Sequence, residues 1–427
     1  MVQAKVGGST SFPPLHDHLI LLMILEFDES VKGPERDAAI RLARHKPCLE
    51  AQWGMRFPSC LGWCVGAIAV SALQITPITQ ENGIAALVGI PGRCGSSSVA
   101  FAGTKRGTLL RYEWKEGERP RCAWRHDGLD SKCFPIYSLA VSNTRDSDYL
   151  TVFGGGGDRY ISLVTIDSQT DETVVDEQQR LGPHTGWVKD LLFDAEKSRL
   201  YSIGCNCIET WAPLWKGGGG AEWRHKHTYS VESSVEDGST LSSDLLCLCH
   251  HPGGCILVGG VDGRIHVVGG SAEPPFSFGA HDGRVTALLY HDPHALLVSC
   301  SHDGSLQCRF APHLSTDCQA AAATASQQVT DTHGNNLRLT ACAITNTTDD
   351  AVSLVVGSSS GVIVQIRVSM GANPHSISSL TEEWRLTLPT NSMINAILPS
   401  SWNGKTSSIL VGHAQGLDLL SGMGCIN

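Results

Sequence analysis

The stretch Arg284–Phe310, RVTALLYHDPHALLVSCSHDGSLQCRF, constrains this chain most, because it is one complete repeat unit. Its alternating apolar positions predict a strand over Val285–Tyr290, a turn at Asp292-Pro293 and a second strand over Leu296–Ser301. His302-Asp303-Gly304 then reads as a turn into a third strand, Ser305–Phe310. The same strand–turn–strand–Gly–strand plan recurs in Asp244–Val268 around Asp262-Gly263, and in Leu339–Val368 around Gly361. Such short runs cannot bury an apolar face singly, whereas stacked copies can.

The residues that close the turn between second and third strands are Gly107, Asp158, Asn206, Gly263, Gly304, Gly361 and Gly416, which implies seven units. Gly263 and Gly304 lie 41 residues apart, within the ~40–45 of a four-stranded repeat. Wider intervals hold two polar segments read as loop insertions, 216–244 and 311–336, the second with a low-complexity run at Ala320–Ser326. The seventh unit ends near Asn427 with three strands, and Val65–Ile75 is a strand without a unit. Pairing these two ends would close a ring and remove exposed sheet edges. Residues 1–59 fall outside the pattern and read as an extension, partly disordered or with a short helix over Pro34–Lys46. Residues 60–427 are the repeat domain.

Composition narrows the function. A net charge of −10 opposes a polyanion, so no direct nucleic-acid contact is expected. The 16 cysteines sit mostly inside apolar strands, as free thiols do in a reducing compartment, and point to cytoplasm or nucleus. No apolar run reaches membrane-spanning length, and Leu19–Phe27 precedes acidic residues rather than a signal-peptide cleavage site. No membrane association is expected.

These residues resemble the WD-repeat β-propeller family, over roughly 60–427. The resemblance rests on the repeat plan and on His184-Thr185-Gly186-Trp187-Val188 and His281-Asp282-Gly283-Arg284-Val285, which look like the family's His-containing loop before the innermost strand. Ser202 and Ser299 match its second-strand serine, Asp303 and Asn206 its turn acid, and Trp211 its third-strand tryptophan. The resemblance implies an all-β fold: a seven-bladed propeller of four-stranded antiparallel blades. It also implies that His184, Ser202, Asn206 and Trp211, and likewise His281, Ser299 and Asp303, form a structural hydrogen-bond staple, with Asp accepting from His, His bridging to Ser and Ser reaching the indole. The Trp position is instead Tyr112, Val268, Arg309 and Ile366 in other units, and no unit carries the Trp-Asp pair. The end motif by which some members join cullin-based ubiquitin ligases is missing.

Catalytic, metal and nucleotide sites are not read here. Ser299, His281 and Asp303 lack a nucleophile elbow. Cys247-Leu248-Cys249-His250-His251 with Cys255, and Cys205-Asn206-Cys207, read as buried small residues rather than zinc ligands. Gly154–Gly157 has no following Lys-Ser/Thr, and Arg224–His227 reads as a solvated loop. No cofactor is expected. The resemblance implies a non-enzymatic protein-interaction scaffold, a monomeric propeller within a multiprotein complex. An adaptor in a ubiquitin ligase or RNA-processing assembly is the alternative, and a propeller enzyme the third reading. By position, Trp187 and Arg284 before innermost strands, and Lys105, Arg106, Arg159 and His302 in second-to-third turns, are the candidate partner contacts.

Overall fold

The computed structural model describes residues 74–79, 83–90, 98–115, 118–127, 134–142, 149–167, 173–174, 179–215, 221–231, 244–269, 272–312, 325–371, 376–402 and 405–421. Residues 1–59, including the Pro34–Lys46 helix expectation, lie outside them.

The chain opens with β1 (Gln74–Thr79), then builds blade 1 from β2 (Ile84–Ile90), β3 (Ser98–Thr104), β4 (Leu109–Trp114) and β5 (Arg121–His126). Blade 2 holds β6 (Ile136–Ser142), β7 (Tyr149–Gly156) and β8 (Ile161–Asp167); its outer position is split between two short strands, β9 (Thr173–Val174) and β10 (Arg180–Leu181), both pairing β8. Blade 3 is β11 (Val188–Asp194), β12 (Arg199–Gly204), β13 (Cys207–Trp215) and β14 (Ala221–Ser230). Blade 4 is β15 (Leu245–His250), β16 (Ile256–Gly260), β17 (Arg264–Gly269) and β18 (Ala272–Gly279). Blade 5 is β19 (Val285–His291), β20 (Leu296–Ser301), β21 (Ser305–Phe310) and β22 (Ala325–Gln328), and blade 6 is β23 (Leu339–Thr348), β24 (Ala351–Ser358), β25 (Val362–Met370) and β26 (Ile377–Thr387). Blade 7 joins β27 (Ile394–Trp402), β28 (Lys405–His413) and β29 (Gly416–Ser421) to β1. Every pairing is antiparallel, and the fold is a seven-bladed all-β propeller closed by an N-terminal strand.

Three expectations shift in detail. The closing strand is Gln74–Thr79, so it shares only Gln74 and Ile75 with the expected Val65–Ile75, whose remainder lies outside the described residues. The segments read as loop insertions, 216–244 and 311–336, each contain the outermost strand of a blade, β14 and β22. Their polar sequences, AEWRHKHTYS and ASQQ, hid them. An outermost strand has no blade covering its rim, so solvent-facing side chains satisfy it and the apolar signal vanishes.

The second strands show the opposite extreme. Residues of β16, β20 and β24 are buried throughout, because neighbouring blades cover both faces. Clusters of buried side chains accordingly straddle blades: Ile203 and Ile208 pack with Leu248 and Val258, and Phe101 and Leu109 pack with Ile136 and Val164. Inter-blade packing is the core.

Every innermost strand carries a register shift immediately after its first residue, at 84/86, 136/138, 188/190, 245/247, 285/287, 339/341 and 394/396. A bulge leaves one residue unpaired and re-aims its side chain. In blades 5, 6 and 7 that residue laces the ring: Thr286 donates to Leu339 O (3.0 Å), Thr340 to Ile394 O (2.6 Å) and Asn395 to Ile84 O (2.6 Å). In blades 2 and 3 the same position holds Tyr137 and Lys189, which do something else.

Candidate functional site

One face gathers the loops entering the innermost strands and the turns between second and third strands. Backbone bonds weld each pair: Lys105 N–H to Gly83 O, Val261 to Asp244, His302 to Arg284, Ser359 to Arg338 and Ala414 to Met393. Because antiparallel strands run in opposite directions, a strand's start and its neighbour's end must meet there. All six candidate contacts, Trp187, Arg284, Lys105, Arg106, Arg159 and His302, lie on these two loop classes.

Two groups form on the face. Trp187, 51% exposed, stacks on Tyr137 with centroids 5.7 Å apart. The Lys189 ammonium lies 4.5 Å from the Trp187 ring centroid and 5.1 Å from that of Tyr137. Burial lowers the Lys189 pKa and the Arg284 charge lowers it further, while Asp244 opposes both. The second group is Arg284, His302 and Arg338. Burial first, and then the Arg284 and Arg338 charges, hold the His302 pKa below its usual value. Sequence reasoning missed Tyr137, Lys189 and Arg338. Aligning the seven bulges would have exposed the first two, which stand where blades 5 to 7 use ring-lacing Thr or Asn.

The face is also where apolar surface is left open. Among the described residues the exposed large hydrophobic side chains are Phe134, Trp187, Val261, Met393 and Leu214, and all but Leu214 lie on these loops.

The staple residues meet in two partial forms. In blade 3 the Trp211 indole donates to Ser202 Oγ (2.9 Å), which lies 2.8 Å from His184 Nε2, and His184 Nδ1 lies 3.1 Å from Arg159 O. Burial lowers the His184 pKa to about 4, so the ring is neutral and the bonds run one way, Trp to Ser to His to carbonyl. Asn206 is not brought to this network: its carbonyl instead accepts from Val231. The register explains it, since Gly204 pairs directly with Cys207 and the turn is one residue shorter than in blade 5. In blade 5 His281 Nε2 is 2.7 Å from Ser299 Oγ, but Asp303 is reached through Ser305, which lies 2.5 Å from both His281 Nδ1 and Asp303 Oδ1. The other Asp303 oxygen accepts from the backbone of Asp282 and Gly283. Ser299 is 3% exposed and the His281 side chain fully buried, so a substrate cannot reach a nucleophile here.

The remaining candidates have ordinary partners. Cys247 Sγ faces Val285 O (3.7 Å), Cys249 Sγ faces His250 O (3.6 Å), and His251 Nε2 bonds Ala311 O (3.0 Å). Among the described residues no three potential ligands converge as a metal site. Arg224–His227 lies within β14 rather than a loop, with Arg224 against Glu222 (3.2 Å) and His225 edge-on to Trp211. Among the described residues no helix is long and apolar enough to cross a membrane.

Asp190 follows the bulge of β11 and accepts from Leu191 N–H (2.8 Å) and, across the seam, from Leu248 N–H (2.7 Å). Desolvation outweighs both bonds and raises its pKa to about 7. A raised folded pKa gives stability that is complete below the unfolded value near 3.8 and lost as pH rises through 7. His184 has the opposite sign: its stabilisation is complete above 6.5 and lost as pH falls through about 4. The two slopes, each at most about 1.4 kcal/mol per pH unit, offset one another between pH 4 and 6.5. In Asp190→Asn the His184 slope is expected to stand alone. Denaturant unfolding at pH 4.5, 5.5 and 6.5 checks it: stability relative to wild type should rise with pH, and a pH-independent difference would refute the assignment.

Residues 272–308 match the WD domain, G-beta repeat. That stretch runs from the outer strand β18 of blade 4 through the first three strands of blade 5, so sequence repeat and structural blade are offset by one strand. No curated protein sequence matches the chain. Among solved structures, the one described as "Structure of U3-55K" is similar with TM-score 0.58 and 16% identity over 81% of this chain and 98% of that one. "Crystal structure of RRP9 WD40 repeats" is similar with TM-score 0.58 and 16% identity, over 81% and 97%. The chain is thus a seven-bladed β-propeller in which one stretch, residues 272–308, matches the WD domain, G-beta repeat, and whose fold is similar to that of the two propellers above.

Proposed function

We propose that this protein is a non-enzymatic protein-interaction scaffold whose partners dock on the face carrying Trp187, Lys189, Arg284 and His302. The observation that carries the reading is the gathering of exposed hydrophobic side chains on that face beside two cationic groups, in a chain of net charge −10. The partner it fits presents an apolar residue flanked by carboxylates: the apolar group meets Trp187, and the carboxylates meet Arg284 and Arg338. Lys105, Arg106 and Arg159 extend the contact around the rim. Loops welded to a closed ring lose little ordering entropy when a partner binds. The described cysteines are free thiols, which suits cytoplasm or nucleus.

The test is tagged affinity purification with quantitative mass spectrometry, comparing wild type with Trp187→Ala/Arg284→Glu at matched thermal stability. A discrete set of proteins should be depleted at least tenfold in the variant, the equivalent of about 1.4 kcal/mol. Recovery of the same proteins at the same ratios would place the working surface elsewhere.

A further inference from the structure

The seams between blades follow one packing rule, and a single seam replaces both of its members with thiols. Opposite the residue after each bulge, the second strand places Gly103, Gly155, Gly259, Gly357 and Gly412 in five blades, Ile203 in blade 3 and Cys300 in blade 5. The glycines leave room for the next blade. A Cβ on Gly357 would stand 3.1 Å from Ile397, and one on Gly412 would stand 3.3 Å from Leu87. Ile397 and Leu87 each lie three residues after the start of an innermost strand, where the other blades carry Leu139, Leu191, Leu248 and Leu288. Blade 6 alone carries Cys342 there.

Cys300 of blade 5 and Cys342 of blade 6 therefore occupy the two positions that meet across a seam, and Cys342 packs against the buried cluster that holds Cys300. Volume compensation does not demand this pair. At the seam of blades 3 and 4, Ile203 fills the glycine position against an unchanged leucine, Leu248, in the same buried cluster. Cys300 is fully buried and Cys342 is partly exposed, so an oxidant meets Cys342 first.

We propose that Cys300 and Cys342 form a redox-modification site that closes to an inter-blade disulfide when a hydroperoxide oxidises Cys342. Attack of the Cys342 sulfur on hydrogen peroxide breaks the O–O bond, giving Cys342 sulfenic acid and one water. The Cys300 sulfur then attacks the Cys342 sulfur; the S–S bond forms, the S–O bond breaks, and the hydroxyl leaves with the Cys300 proton as a second water. Two thiols lose two electrons and two protons, and the peroxide is reduced to two waters. The link joins β20 to β23, covalently tying two blades that otherwise meet by packing and by side-chain bonds such as that of Thr286 to Leu339 O. It stands independently of the scaffold reading.

Reduced full-length protein is treated with hydrogen peroxide, blocked with an alkylating reagent, and digested without reductant for mass spectrometry. The expected product is a Cys300–Cys342 linked peptide, accompanied by a rise in melting temperature that reductant reverses. Cys300→Gly/Cys342→Leu, which restores the pair found at neighbouring seams, should melt without any response to peroxide; Cys342→Ala serves if that variant folds poorly. Exposed Cys122 is the internal control. Oxidation of Cys122 with Cys300 and Cys342 both recovered as alkylated thiols would overturn the proposal. So would a disulfide from Cys342 to Cys308, whose buried thiol lies close enough to feel the Cys342 charge.

Discussion

A chain that starts at residue 80 is expected to melt several degrees below one that starts at residue 73, and to aggregate on heating. The only difference is β1, which pairs along β29 from Gln74↔Ser421 to Thr79↔Leu417. Removing it strips those backbone bonds at ~1 kcal/mol each and exposes apolar surface, since Ile78 packs against the cluster of Leu417 and Leu419. The loss is on the order of 3–5 kcal/mol. It leaves β29 as an open edge that templates pairing with other copies. Differential scanning calorimetry and light scattering on the two chains measure both effects, and coincident melts would show that β1 closes nothing. The comparison rests on the described strand alone, because both chains lack residues 1–72.

Gly155→Val is expected to destabilise the propeller by about 3 kcal/mol, the upper end for overpacking a core. A Cβ at Gly155 would lie 2.5 Å from Val188 Cγ1 and 2.7 Å from Ser138 Oγ, so the clash falls on the next blade and on the blade's own innermost strand. Neither can retreat: Val188 is fully buried and begins a strand fixed by its bulge. Gly279→Ala is the matched control, because a Cβ there meets no heavy atom within 4 Å. Chemical denaturation should show the first variant weakened and the second unchanged. Equal effects would mean that seam contact is not what glycine protects.

The blades were legible where two blades cover a strand. Blade 5 shows this, with Val285–Tyr290, Leu296–Ser301 and Ser305–Phe310 expected and β19, β20 and β21 found over the same residues, β19 longer by His291. The outermost strands were not, because β14 and β22 carry polar side chains that solvent tolerates. Staple chemistry was half legible. The types and spacing of His184, Ser202 and Trp211 foretell a network, but a turn shorter by one residue removes Asn206 from it, and Ser305 intervenes before Asp303. On the candidate face, Trp187 and Arg284 could be picked by loop position, whereas the cation over two rings could not, since Tyr137 and Lys189 are 52 residues apart and belong to different blades.

Sequence by itself therefore determined the number of units, the inner strands of blades such as the fifth, and that a strand upstream of the first unit closes the ring, because periodic burial writes itself as periodic hydrophobicity. Tertiary structure alone decided what happens between units: which glycine yields to which neighbour, which bulge residue laces the ring or joins the open face, and which two thiols meet. Those pairings couple residues distant in the chain through contact across a seam, and a linear pattern carries no term for distance.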